Sequence, residues 1–126
     1  MPHLTLEYTA GLRPDIEFEG LFARLHDVLS DVAGIKKGNC KSRAIKLDRY
    51  LVGDGTSGEG FVHLDARFLE GRPLELKEEI GLRLLAALKQ SYESRVEEGD
   101  LQITVEIRDI ERATYFKIPT GSLDYR

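Results

Sequence analysis

At 126 residues, with 41% hydrophobic and 32% charged side chains, the chain has the size and composition of one globular domain, expected to span residues 1–126. A net charge of −4 argues against nucleic acid as a partner but leaves room for a local cationic pocket. No apolar run approaches the ~20 residues of a membrane span, no signal-peptide pattern opens the sequence, and the single Cys40 excludes an internal disulfide, so a cytoplasmic protein without membrane contact is expected.

After Pro2 the opening stretch alternates: Leu4, Leu6 and Tyr8 share one face, His3, Thr5 and Glu7 the other. This predicts a strand with Pro2 at the mouth of a sheet and no leader before it. A start methionine followed by a small residue is commonly removed, and loss of Met1 would expose a secondary amine. A free α-amino group has a pKa of roughly 7.7–8.0, and burial or nearby cations lower it. Such an amine is a general base poised near neutrality. The plainer alternative, a proline that happens to lie near a terminus, is open at this point.

Gly11 and Pro14 then punctuate, and Asp15 is placed to cap the next element. Phe18, Leu21, Phe22, Leu25, Val28, Leu29 and Val32 recur at helical steps, predicting a helix over 18–32 with Gly34 as its stop. A loop over 34–40 leads to a strand over 41–52, with Ile45, Leu47 and Leu51 on one face and Ala44, Lys46, Asp48 and Tyr50 on the other. Parity puts Arg43 on the apolar face, where an arginine must reach the sheet's end or bind something anionic. The glycines of 53–60 read G-x-G-x-x-G, but a phosphate-binding version needs a helix to start there. A strand comes next instead, so the segment reads as a hairpin loop.

That strand covers 61–69, with Val62, Leu64, Ala66 and Phe68 apolar. Gly71-Arg72-Pro73 opens a second helix running to about Glu98, striped by Ile80, Leu84, Leu85, Leu88, Tyr92 and Val96, and Gly99 ends it. A strand over 101–107 alternates with Leu101, Ile103, Val105 and Ile107 inward, and the tail holds a short β-prone piece over 114–118, then Pro119 and Gly121 as breakers. The order is β-α-β twice. It predicts an α+β fold: a four-stranded mixed sheet with both helices on one face, plus the short C-terminal strand. The other face would carry His3, Thr5, Glu7, Lys46, Asp48, His63, Asp65, Arg67, Gln102, Thr104, Glu106 and Arg108. Such a face meets either water or matching faces of other subunits.

His3, His26 and His63 are not at ligand spacings, so no metal site is expected; His26, in the first helix, reads as a surface or boundary residue. No nucleophile elbow is present, and Cys40 reads as an incidental thiol. Acid–base chemistry remains, using Pro2 and the cations at element starts: Lys41, Arg43 and Arg72. Taken alone, each of these cations reads first as a solvated surface charge, Arg43 least so.

Pro2-His3, Gly20-Leu21-Phe22-Ala23, Ser42-Arg43, Asp54-Gly55, Phe61-Val62-His63, Gly71-Arg72-x-Leu74-Glu75 and Phe116-Lys117, in that order and almost end to end, resemble the 5-carboxymethyl-2-hydroxymuconate Δ-isomerases of the tautomerase superfamily. The resemblance implies a β-α-β repeat assembled as a homotrimer with sheets turned inward, and an amino-terminal proline, here Pro2, as catalytic base. It implies cations for a polycarboxylate substrate, here Arg43 and Arg72 and also Lys41, where the family pattern carries an arginine. Lysine keeps the charge but loses the planar two-pronged grip. Phe116 resembles an aromatic element near the pocket, and the implied reaction needs no cofactor. Two other readings stay open: a tautomerase acting on smaller 2-hydroxydienoates or phenylpyruvate-type enols, and a non-catalytic ferredoxin-like or trimeric binding module.

Overall fold

The computed structural model describes residues 2–12 and 15–119, so the expectations for Met1, Pro14 and Gly121 fall outside it. Strand alternation places β1 at His3–Thr9, β2 at Lys41–Leu47, β3 at Gly60–Leu69 and β4 at Leu101–Ile110. Apolar residues at steps of four bury Leu21, Leu25 and Leu29 in α1 (Phe18–Ala33), and Ile80, Leu84 and Leu88 in α2 (Leu74–Ser91). Glu17 caps α1, its carboxylate accepting from the Gly20 N–H at 3.0 Å; Asp15, the expected cap, lies too early. Gly34 closes the helix at φ 66°, a left-handed position that favours glycine.

The single second helix expected to reach Glu98 is two helices. Tyr92 stands between α2 and α3 (Glu93–Glu98) at φ −115° and ψ 27°, outside helical values, with its ring buried in the core. Burying that large ring takes precedence over a continuous helix axis.

The strand order is β2-β1-β3-β4. β1 runs parallel to β2, β3 runs parallel to β4, and the two pairs join antiparallel through β1 and β3. Each β-α-β unit therefore forms one parallel pair, and the start of β1 lies beside the end of β3. Both helices cover one face, where Leu4, Leu6, Val62, Leu64, Ala66 and Phe68 form the core with the helix leucines and Ile80.

Other expectations change as well. The 48–59 segment is not a hairpin loop, because β1 lies between β2 and β3; it crosses the end of β1 instead. β2 stops at Leu47 rather than Val52, because β1 ends at Thr9 and offers no partner beyond the Ala10 N–H bond to the Leu47 carbonyl. The inner face of β2 is also the reverse of the parity reading. Ser42, Ala44 and Lys46 align with Leu4, Leu6 and Tyr8 on the helix side, while Arg43, Ile45 and Leu47 lie on the open side with Thr5, Glu7 and Thr9. Lys46 therefore does not belong to the open face, and Ile45 does, 45% exposed. Finally, no strand forms over 114–118 among the described residues: Arg112–Thr114 is a 3-10 turn, and Tyr115 has extended dihedrals without a ladder partner in this chain.

Candidate active site

The end of the sheet where β1 and β2 begin and β3 ends gathers the candidate residues. Pro2 is buried there, and its carbonyl accepts from the Lys41 N–H at 3.1 Å, so the chain is held in the sheet from its second residue. His3 pairs with Lys41 on β2 and with Arg67 on β3. One further step along the same registers puts Cys40 and Phe68 beside Pro2. Burial pushes the Cys40 thiol pKa up, and its sulfur lies 3.7 Å from the Lys36 carbonyl, so it is a packed thiol rather than an activated one.

The imidazole of His3 is fixed on both nitrogens. Arg43 Nη2 donates to His3 Nδ1 at 3.2 Å. A guanidinium has no acceptor, so Nδ1 must carry a lone pair, and the neutral ring then bears its proton on Nε2. That Nε2–H donates to the Tyr115 hydroxyl oxygen at 2.8 Å, with the two rings edge to face at 5.9 Å between centroids. Burial first, then the charges of Arg43 and Lys41, lower the His3 pKa from its ordinary value, which agrees with a neutral ring.

Arg72 lies in the connection from β3 to α2. Its Nη1 donates to the Leu69 carbonyl at 3.1 Å, and its guanidinium carbon sits 5.5 Å from the centroid of the Phe68 ring. Burial, then the neighbouring Arg112, lowers its pKa. Arg72 is thus anchored over the residue that register places next to Pro2. Phe116 comes after Tyr115 and is 72% exposed, and Tyr115 brings the tail to the site through its bond to His3.

Lys41, Arg43, Arg67 and Arg72 pair with no carboxylate among the described residues, although the chain as a whole is acidic. Four cations left without counter-ions at one end of an acidic protein make an anion-attracting field. Strand parity places Arg67 on the open face but gives it no role, since only the β1–β3 register brings it to His3. Nothing in the sequence singles out Tyr115 either: its bond to His3 spans 112 residues, a distance at which no local signal exists.

Elsewhere the chemistry is different. His26 is a half-buried boundary residue whose Nε2 meets Ser42 Oγ at 2.7 Å. A cavity of about 310 Å³ at the opposite end is lined by Tyr8, Asp15, Phe18, Lys46 and Tyr92, and burial pushes the Tyr92 phenol up to about 12. No group of three His, Cys, Asp or Glu suited to a metal occurs among the described residues, and no described helix is long and apolar enough to cross a membrane.

Comparison with known proteins gives concordant results. Residues 2–120 match the family described as 5-carboxymethyl-2-hydroxymuconate isomerase. A 5-carboxymethyl-2-hydroxymuconate Delta-isomerase of Escherichia coli is 26% identical over 117 residues, 93% of each chain. The crystal structure of a 5-carboxymethyl-2-hydroxymuconate isomerase from Deinococcus radiodurans R1 is 33% identical, with a TM-score of 0.83 over 92% of this chain and 87% of that one. A fused 4-OT described as a symmetric trimer shares the fold at 21% identity, with a TM-score of 0.68 over 93% of this chain and 92% of its own.

Proposed function

The chain belongs to the 5-carboxymethyl-2-hydroxymuconate isomerase family, and on the premise that it is a tautomerase-type isomerase we propose that it converts 5-carboxymethyl-2-hydroxymuconate to 5-oxopent-3-ene-1,2,5-tricarboxylate in homoprotocatechuate degradation. The observation that carries this reading is the cluster of Lys41, Arg43, Arg67 and Arg72 without carboxylate partners around the buried start of β1. A substrate with several carboxylates supplies the missing counter-ions.

In this reading Pro2 is the base. With Met1 removed its nitrogen is a secondary amine, and burial and the surrounding cations disfavour the ammonium form. The neutral nitrogen takes the enol proton of the dienol, the electrons move through the conjugated system, and the same nitrogen returns a proton to C5 to give the conjugated ketone. Arg43, Arg72 and Lys41 hold carboxylates and stabilise negative charge developing on oxygen, and Phe116 lines the approach. No cofactor enters.

The protein acts as a single tautomerase-like domain in the cytoplasm, assembled as a homotrimer. The open sheet face supports assembly: it exposes Ile45 and buries Asp65 Oδ1 with no hydrogen-bond partner. A second copy could cover the one and supply a donor to the other. The trimeric 4-OT neighbour shares this fold.

The test is ultraviolet monitoring of muconate turnover by wild type and Pro2→Ala, with intact mass confirming that Met1 is absent. Loss of proton-transfer catalysis is expected to lower kcat ~100-fold or more; unchanged turnover removes the proline role. A substrate panel tests the rest. Equal turnover of a dienol lacking the carboxymethyl group would redirect the assignment to smaller enols, a reading that Lys41 in the family's arginine position favours. Inactivity on every enol would favour a binding module.

A further inference from the structure

The His3 bridge between Tyr115 and Arg43 orders a cation without neutralising it. An exposed arginine with no carboxylate partner among the described residues samples many rotamers, and ordering its side chain for a ligand costs conformational entropy. A carboxylate would order it but neutralise it. The His3 ring orders it with a neutral lone pair, through one of five N–H donors, and leaves the positive charge available. The ring itself is held by the Tyr115 hydroxyl at 2.8 Å.

We propose that His3 and Tyr115 are positioning residues for Arg43: the Tyr115 hydroxyl fixes the His3 ring, and its Nδ1 lone pair holds the Arg43 guanidinium charged and oriented at the proline end of the sheet. The proposal rests on the reading of Arg43 as a carboxylate holder and Pro2 as the base. It makes the tail of the chain part of the site through the Tyr115 hydroxyl.

The groups that face His3 are Lys41 and Arg43 from β2, Arg67 from β3 and Tyr115 from the tail, with Pro2 and Thr5 on its own strand. The described carboxylate nearest by register is Asp65, opposite Thr5 on β3, and its Oδ2 lies 3.6 Å from Arg108 Nη1. As pH falls through the His3 pKa, which lies below the ordinary 6.5, Nδ1 gains a proton and faces Arg43 with like charge. The hydrogen bond that orders Arg43 is therefore present above that pH and lost below it. Substrate affinity falls on the acid side while the ordering bond is absent.

The experiment measures kcat and KM for 5-carboxymethyl-2-hydroxymuconate with His3→Leu, His3→Asn and Tyr115→Phe, each with Arg43 intact and with Arg43→Ala, and with Pro2→Ala alongside. Losing one hydrogen bond to a charged group is expected to raise KM roughly 10-fold in His3→Leu with kcat within about 2-fold. His3→Asn, whose side-chain oxygen replaces the Nδ1 acceptor, recovers most of it. Tyr115→Phe raises KM about 3-fold. In the Arg43→Ala background His3→Leu adds nothing further, and the acid-side rise in KM disappears in His3→Asn. An equal effect of His3→Leu without Arg43, a fall in kcat in place of the KM change, or an acid limb that persists in His3→Asn overturns the proposal. If His3→Leu does not fold, the Tyr115→Phe and Arg43→Ala pair decides it alone. An inactive Pro2→Ala with an unchanged KM in His3→Leu sinks this proposal and leaves the proline reading intact; a fully active Pro2→Ala sinks the proline reading instead.

Discussion

At one end of the sheet Pro2 opens β1 beside Lys41; at the other, Gly60 opens β3 beside Leu101. Both starts are tied by the backbone, Lys41 N–H to the Pro2 carbonyl at 3.1 Å and Gly60 N–H to the Asp100 carbonyl at 3.0 Å. Their surroundings differ. At the Gly60 end two cations meet carboxylates: Arg95 grips Asp100 with two bonds at 3.0 and 3.1 Å, and Lys46 lies 3.8 Å from Asp48. The space is matched too, since a Cβ on Gly60 would stand 2.6 Å from Thr9 Oγ1 and 2.9 Å from Leu12 Cδ2. At the Pro2 end Lys41, Arg43, Arg67 and Arg72 stay without carboxylates among the described residues. The same β-α-β geometry thus makes one end where Gly60 is tightly packed and Arg95 is gripped by Asp100, and another where four cations gather without carboxylates among the described residues.

The largest test of this contrast removes the unmatched charge. Arg43→Ala combined with Arg72→Ala is expected to raise KM for the tricarboxylate on the order of 100-fold, the loss of two charge-assisted bonds. Thermal unfolding should move little; a large fall in Tm would mean that the two arginines hold the fold and not the ligand. Next is the packed end. Gly60→Ala overfills the contact with Thr9 and Leu12 and should destabilise by about 1–3 kcal/mol in denaturant unfolding. The kcat/KM of the folded protein should stay as it was, and a parallel loss of activity would show that the ends are not independent. The smallest effect is salt. Raising ionic strength from about 0.05 to 0.5 M should raise KM a few-fold in wild type, because Lys41, Arg43 and Arg67 are exposed and screened. The same titration should have a shallower effect on the double arginine variant, which keeps only Lys41 and Arg67 of the four cations.

Where helices cover the sheet, the sequence is a reliable guide. Leu4 and Leu6 on β1 and Val62, Leu64, Ala66 and Phe68 on β3 alternate because each has a helix on one side only. On β2 that logic inverts. Ile45 and Leu47 look inward by composition, yet Ser42, Ala44 and Lys46 take the helix side, because the register with β1 and not local hydropathy decides the face of an edge strand. Strand order is equally silent in the sequence. The glycines of 53–60 read as a hairpin, and only the pairing of β1 with β3 turns that loop into a crossover. Pro2, Lys41, Arg43 and Arg72 stand out because each lies at or near the start of an element. Arg67 and Tyr115 lie inside a strand and in the tail, and the registers and folds that bring them to His3 leave no mark on their neighbours in sequence.

Chain termini are ordinarily the first parts of a domain to fray. Here the amino-terminal strand lies inside the sheet, with β2 bonded along one side and β3 along the other, and Leu4 and Leu6 fully buried beneath it. With a bonded neighbour on each side, β1 is expected among the slower-exchanging segments, its amides that face β3 most of all, while the edge strands β2 and β4 open more readily. Pro2 sits at the tip of this strand, buried and bonded to Lys41, so heat inactivation is expected to follow global unfolding rather than precede it.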